Sequence, residues 1–511
     1  MKRRRLRLWA AAAALLVLLL LAAEFTGVSL SQFWSRRSHL TDIVVRMIPP
    51  AWNYIPRILA PLWVTIEMSV VGTVLGSLMA LFTAPLCAAN LRGSAALRHL
   101  LRSLIQILRA FPALILALAA TFVLGLGAFA GTAALTLYTF AIMTRLTYED
   151  IESAPIGPYQ ALCAMGAGRG RAWVRGLLPA VAPSYLTNVL YLLETNVRHS
   201  AILGYVGAGG IGILLNEKIS WQEYDRVASI LLGLFVAVCV IELLASWLTA
   251  LVRGERRISE RGKRLLLVSI ALLFLFCLVS VGAPDFSRTS PGTVGRMLLG
   301  LVRPDWAFMM KGGKNGLVWL LLETLCIAFV GTVAGAVFSF PLALLGSGRL
   351  MPRPVAAFFR TLTLLIRTVP YLIYGLIFVR VTGNGAFTGV LTMAVCSIGL
   401  LTKRFIEAID TLDMRPYRAL AAMGVSPLLC MRHALLPQLL SSFASAVLYR
   451  FDVNTREAAV LGLVGAGGIG APLIFAMNQY NWPRAGAVSL GLILLVWLID
   501  LLSARLRRRH S

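Results

Sequence analysis

The chain has 511 residues, with 48 Lys or Arg against 22 Asp or Glu, a net charge of +26, 58% apolar residues and only 14% charged ones. A soluble domain, which carries roughly 25% charged residues, is excluded. A nucleic-acid binder is excluded too, because its basic residues would cover a polar surface. Here they stand between apolar runs of about 20 residues, the length that crosses a bilayer.

Twelve spans are predicted, near residues 8–24, 63–87, 103–126, 129–147, 183–206 and 227–252, then 265–283, 320–345, 362–381, 386–402, 439–463 and 485–504. They form two sets of six because the chain repeats itself. Leu203–Gly212 reads LGYVGAGGIG and Leu461–Gly470 reads LGLVGAGGIG, an offset of 258 that also relates Arg109 to Arg367, Pro112 to Pro370 and Gly127 to Gly385. The offset drifts to 259 at Gly72/Gly331 and to 254 at Trp52/Trp306. A first repeat over 1–254, a basic cytoplasmic linker over 255–264 and a second repeat over 265–511 follow. The fold class is an all-α polytopic membrane protein of two parallel six-helix repeats, since an even number of spans returns each copy to the same side.

The first span, behind Lys2-Arg3-Arg4-Arg5, has the form of a signal peptide. Its counterpart at 265–283 is internal, so the retained helix is the better reading. With the N-terminus inside, the cytoplasmic stretches hold 32 basic residues and the external ones 13. The charge is therefore largely a topology signal that places both termini in the cytoplasm. In the second spans, Gly72-x-x-x-Gly76 and Gly331-x-x-x-Gly335 predict close helix packing. Pro112 and Pro370 predict kinks in the third.

The loops after the fourth spans, 149–182 and 407–440, repeat Tyr159, Ala161, Gly166 and Pro179 as Tyr417, Ala419, Gly424 and Pro437. A Gly about twelve residues before a Pro predicts two short helices meeting at a sharp angle, the Pro ending the second where the next span starts. An amphipathic loop lying on the membrane is the bland alternative.

The fifth spans carry Glu194-x-Asn196-x-Arg198 and Asp452-x-Asn454-x-Arg456, each acid one helical turn before its Arg. Two readings stand: an internal ion pair that orients the helix, or two guanidinium groups facing a central pathway for an oxyanion. Arg450 is a third intramembrane arginine. The glycine blocks follow, with Gly207, Gly209 and Gly210 matched by Gly465, Gly467 and Gly468. They satisfy GxGxxG, but a dinucleotide site needs a strand before it and an acid about twenty residues on. After an apolar helix they predict a broken helix whose backbone lines a cavity. Glu242 and Asp500, in the last spans, have no assigned role. The seven cysteines show no CxxC spacing and the five histidines no common offset, so no metal site is read.

The loops resemble the EAA loop of ABC importer permeases, with Gln160 and Arg418 in place of the Glu, Leu162 and Leu420 in place of the second Ala, and Gly176 and Ala434 in place of the Ile. Residues 196–212 and 454–470, the lead-in segments 47–63 and 301–308, and LETLCIAFVGTVAG at 322–335 are similar to the phosphonate ABC transporter permease family. The resemblance implies a type I ABC importer permease for phosphonate, phosphite or phosphate in the cytoplasmic membrane. It further implies that 159–179 and 417–437 dock on two copies of an ATP-binding subunit, with an external substrate-binding protein delivering the cargo. No G-x-x-x-x-G-K-[ST] occurs, so the chain is read as a permease and not an enzyme, with ATP and Mg held by the partner subunits. Alternatives are a permease for another small solute such as methionine, or an ion-coupled secondary transporter using the intramembrane acids.

Overall fold

The structure is a computed structural model that describes residues 2–91, 93–255, 259–282, 291–313 and 316–510. In lipid a backbone must satisfy its own N–H and C=O groups, and every regular element among the described residues is helical. The first repeat supplies α1 (Lys2–Phe25), α2 (Ile55–Cys87), α3 (Ala95–Ala110), α4 (Ala113–Leu124), α5 (Ala128–Ser153), α6 (Gly157–Ala164), α7 (Leu178–Leu203), α8 (Gly212–Ser220) and α9 (Tyr224–Val252). The second repeats the series as α10 (Glu260–Ser280), α11 (Leu317–Gly346), α12 (Arg353–Thr368), α13 (Tyr371–Thr382), α14 (Ala386–Asp410), α15 (Arg415–Ala422), α16 (Leu436–Leu461), α17 (Gly470–Asn478) and α18 (Trp482–His510). Residues 256–258 of the linker lie outside the described residues, and α10 already begins at Glu260.

Among the described residues, eight helices are long and apolar enough to cross a membrane. The spans predicted near 103–126 and 362–381 are not straight ones: α3 meets α4 at 95°, and α12 meets α13 at 83°. The cause is local. Pro112 and Pro370 force the residue before them out of the helical region, to ψ 127° at Phe111 and 121° at Val369. The expected kinks are therefore breaks, and α4, about 18 Å long, does not span by itself. Counting each bent pair as one span brings the total among the described residues to ten, against the twelve expected. α1 counts only as a shorter apolar helix, Ala13–Phe25, and α16, which carries the charged residues, is not among the candidate spans.

Two compact units form, Arg46–Gly295 and Met1–Val45 with Arg296–Ser511. The first helix of each sequence repeat packs with the other repeat's remaining helices. Phe25 of α1 lies on Trp319 of α11, ring centroids 4.5 Å apart, and Phe276 of α10 lies 6.3 Å from Trp63 of α2. Within each unit the central contact is the second span against the fourth. A Cβ on Gly72 would stand 2.7 Å from Leu135 Cβ, and one on Gly331 would stand 2.5 Å from Met393 Cβ. Only glycine lets these backbones approach so closely.

Candidate functional site: coupling loops, fifth spans and glycine loops

The loop after α5 forms α6, turns at Gly166 with φ +84°, and re-enters a helix at Arg169. Gly424, at φ +76°, makes the same turn after α15. A left-handed residue here favours glycine, which has no Cβ to clash. Pro179 and Pro437 do not end a helix, as their position predicted. In each copy a π-turn precedes the Pro, with Leu178 N–H reaching Trp173 O and Leu436 N–H reaching Met431 O. The wider turn takes up the missing Pro donor, and the helix continues into the membrane. Ala161, Gly166, Ala419 and Gly424 are exposed on the loops together with Gln160 and Arg418. Tyr159 is buried with Leu177, Met143 and Ile151, whereas Tyr417 is only half-buried against the matching cluster around Leu435 and Ile409. Gly176 permits this docking, since a Cβ there would stand 3.0 Å from Tyr159 Cα.

Just ahead of these loops lies a clamp that sequence reasoning missed. Arg102 Nε donates to Cys87 O at 2.8 Å, and its guanidinium pairs with Glu152 at the end of α5. Arg360 Nε donates to Gly346 O at 2.8 Å and pairs with Asp410 at 2.8 Å. One arginine thus ties the third helix to the ends of the second and fourth, a few residues before the exposed coupling helix. The offset of 258 between Arg102 and Arg360 was the available signal.

In the fifth spans, Asn196 Nδ2 donates to Thr73 Oγ1 at 2.8 Å and Thr139 Oγ1 at 2.7 Å. Asn454 Nδ2 donates to Thr332 Oγ1 at 2.6 Å and Ser397 Oγ at 2.8 Å. Both asparagines are fully buried and pin their helix to the second and fourth spans. Glu194 pairs with Arg198 at 2.7 Å and Asp452 with Arg456 at 2.8 Å, one turn apart along the helix. The acid-to-arginine spacing therefore closes as an ion pair in each repeat. Arg450 lies on the Asn454 face and pairs with Glu457 at 2.9 Å, both nearly buried. The first repeat has Leu192 and His199 at those places, with His199 against Tyr138 at a ring distance of 5.0 Å.

The glycine loops break the helix as predicted. α7 ends in a short turn at Gly204–Val206, and Gly207, Gly209 and Gly210 all take φ between +77° and +84°. Gly465, Gly467 and Gly468 do the same, between +79° and +81°. Each loop is fastened on two sides. Gly127 N–H donates to Gly207 O at 3.0 Å and Ile211 N–H to Thr65 Oγ1 at 2.8 Å, matched by Gly385 to Gly465 O at 2.9 Å and Ile469 to Thr324 Oγ1 at 2.9 Å. Thr65 and Thr324, at offset 259, were not singled out by their residue type. A Cβ on Gly209 or Gly467 would stand 2.9 or 2.8 Å from the Cα of Ala128 or Ala386, so glycine is required for the approach as well as the dihedral.

Beyond the first glycine loop, Lys218 is held by Glu217 at 2.9 Å and Glu223 at 3.1 Å and lies over the Trp221 ring at 4.4 Å. The Glu217 hydrogen bond raises the ammonium pKa above its ordinary value, and the Lys218 hydrogen bond lowers that of the Glu223 carboxyl. The second repeat has Ala476 and Asn481 in place of Lys218 and Glu223.

This double set of helices, each with a loop after the fourth span and a glycine break after the fifth, is that of a permease built twice into one chain. Residues 72–258 and 331–511 both match the family described as binding-protein-dependent transport system inner membrane component. The chain belongs to that family and is a multi-pass importer permease, a tandem fusion of two permease units. It is 29% identical over 489 residues to the phosphate-import permease protein PhnE of Mycolicibacterium smegmatis, covering 92% of this chain and 89% of that one. It is 38% identical over 192 residues to the phosphite transport system permease protein PtxC of Stutzerimonas stutzeri, covering 37% of this chain and 70% of that one. A probable D-methionine transport system permease protein MetI of Vibrio cholerae is 30% identical over 163 residues, covering 31% of this chain and 72% of its own.

Proposed function

We propose that this permease carries a phosphorus oxyanion, phosphonate, phosphite or phosphate, across the cytoplasmic membrane, with both termini on the cytoplasmic side. The observation that supports it is the extent of the match to a phosphate-import permease, which runs through both repeats over 92% of the chain, against 31% for the methionine relative. ATP and Mg belong to two copies of a separate ATP-binding subunit, and an external binding protein delivers the cargo. The exposed faces of α6 and α15, with Ala161 and Ala419, dock on those subunits. Tyr159, Gly166 and Pro179, with Tyr417, Gly424 and Pro437, set the angle of each docking helix.

Movement of α6 and α15 passes to the membrane helices through the Arg102 and Arg360 clamps. In the pathway, Arg198 and Arg456 are presented by helices that Asn196 and Asn454 hold fixed. An oxyanion that exchanges for the Glu194 or Asp452 carboxylate meets a guanidinium fork already oriented. Gly207, Gly209 and Gly210, with Gly465, Gly467 and Gly468, supply backbone along the same route.

The test is uptake into proteoliposomes holding the permease, its ATPase and its binding protein. Uptake that needs ATP and all three components, and is blocked by vanadate, supports the reading. Uptake abolished by an uncoupler at constant ATP refutes it. Arg198→Ala combined with Arg456→Ala abolishes uptake while the ATPase subunits still co-purify; a normal rate refutes the pathway assignment.

A further inference from the structure

The two glycine loops are alike in sequence and fastening, and unlike in what borders them. At the second loop, the Glu323 side chain of α11 borders the glycines, its Oε1 2.9 Å from where a Cβ of Gly467 would stand. No cation pairs with Glu323 among the described residues. Asn384 borders Gly465 on the other side, its Oδ1 2.7 Å from the position a Cβ would take. At the first loop, the residue matching Glu323 is Val64, and the residue matching Asn384 is Leu126, whose Cδ2 lies 2.7 Å from that position on Gly207. One loop is bordered by an acid and an amide, the other by two hydrocarbons. A half-buried carboxylate with no cation beside it is costly at membrane depth. A stable fold does not require an acid at this place, since the other copy has Val64 there.

We propose that Glu323 is a specificity-determining residue of this permease, a fixed negative charge at the second glycine loop that favours singly charged over doubly charged phosphorus oxyanions. The proposal rests on the reading that the glycine loops line an oxyanion pathway. The charge repels every anion that passes, and a second charge on the cargo doubles the repulsion, so the two cargo classes part in rate. The selectivity is carried by one repeat only.

The experiment compares initial uptake of phosphite and hypophosphite at one mildly alkaline pH, where the first is mainly a dianion and the second a monoanion, in the reconstituted permease, ATPase and binding protein. Glu323→Gln raises the phosphite-to-hypophosphite rate ratio about tenfold over wild type, about 1.4 kcal/mol. Glu323→Asp, which keeps the charge, leaves the ratio within about twofold of wild type. The exchange of Val64→Glu with Glu323→Val restores the wild-type ratio by moving the charge to the other loop. An unchanged ratio in Glu323→Gln overturns the proposal, as does a fall of both rates in equal proportion in the Gln and Asp variants. A wild type that takes up none of phosphonate, phosphite, hypophosphite and phosphate overturns the oxyanion reading beneath it, a result distinguishable from the other two.

Discussion

α7 and α16 descend from one sequence, and the residues that pin them have stayed the same while those that fill the adjoining face have not. Each is held by an asparagine that donates to two hydroxyls. Beside that asparagine the first repeat packs Leu192 and His199, and the second packs an Arg450–Glu457 ion pair. The backbone geometry is therefore insured twice over by neutral hydrogen bonds. The same scaffold tolerates hydrocarbon or a buried charge pair at the next position because either choice leaves no charge alone in the core.

The largest expected effect tests what is common to both copies. Gly209→Val and Gly467→Val each combine a left-handed dihedral, about 1–3 kcal/mol, with overpacking against the start of the fourth span, about 1–3 kcal/mol. Both variants lose detergent-stable permease in size-exclusion chromatography, to a similar degree; survival of one alone breaks the equivalence of the loops. Next comes the difference. Arg450→Leu leaves Glu457 buried without its partner and destabilises by about 3–5 kcal/mol, while Arg450→Leu with Glu457→Gln recovers most of the loss. Thermal unfolding checks it, and equal damage in the single and double variants would show that the pair is not what matters.

Asn196→Ala and Asn454→Ala should each cost about 1–3 kcal/mol, because each removes two buried hydrogen bonds. Their thermal shifts agree if the two pins are equivalent. Arg102→Lys and Arg360→Lys lower stability by only about 1 kcal/mol, since both pairs are partly exposed. A Lys ammonium cannot reproduce the planar fork that reaches the carbonyl and the carboxylate together. Binding-protein stimulation of ATP hydrolysis therefore falls in both variants, and full stimulation in either would remove that clamp from the coupling route.

The smallest effect belongs to the first repeat alone. The depressed Glu223 pKa contributes stability that is present above the ordinary carboxylate range and lost as pH falls through the lowered value. The raised Lys218 pKa contributes stability that is complete below the ordinary lysine value and lost as pH rises through the raised one. Lys218→Ala consequently flattens the acid limb of a melting-temperature profile. An unaltered limb means that the cluster is not coupled to folding.

Much of this was legible beforehand because duplication is an internal control. The offset of 258 marked the loops, the glycine blocks and the Asn-x-Arg lead-ins without reference to any other chain. It did not mark Thr65 and Thr324, whose hydroxyls act only after a distant glycine loop has folded onto them. It pairs Arg102 with Arg360 but not with what they hold, because Cys87 O and Gly346 O are backbone atoms that no residue type announces.

What the sequence determined by itself is whatever depends on local spacing and on transfer to lipid. Those features are the apolar spans, the helix breaks at the glycine blocks and the one-turn spacing of acid and arginine in the fifth spans. The tertiary structure alone decided with which helices α1 and α10 pack, and that Glu323 borders Gly467 where the other repeat has a valine. The reason is physical. A helix encodes its own hydrogen bonds within four residues, whereas these contacts join segments more than a hundred residues apart and exist only once the helices have packed.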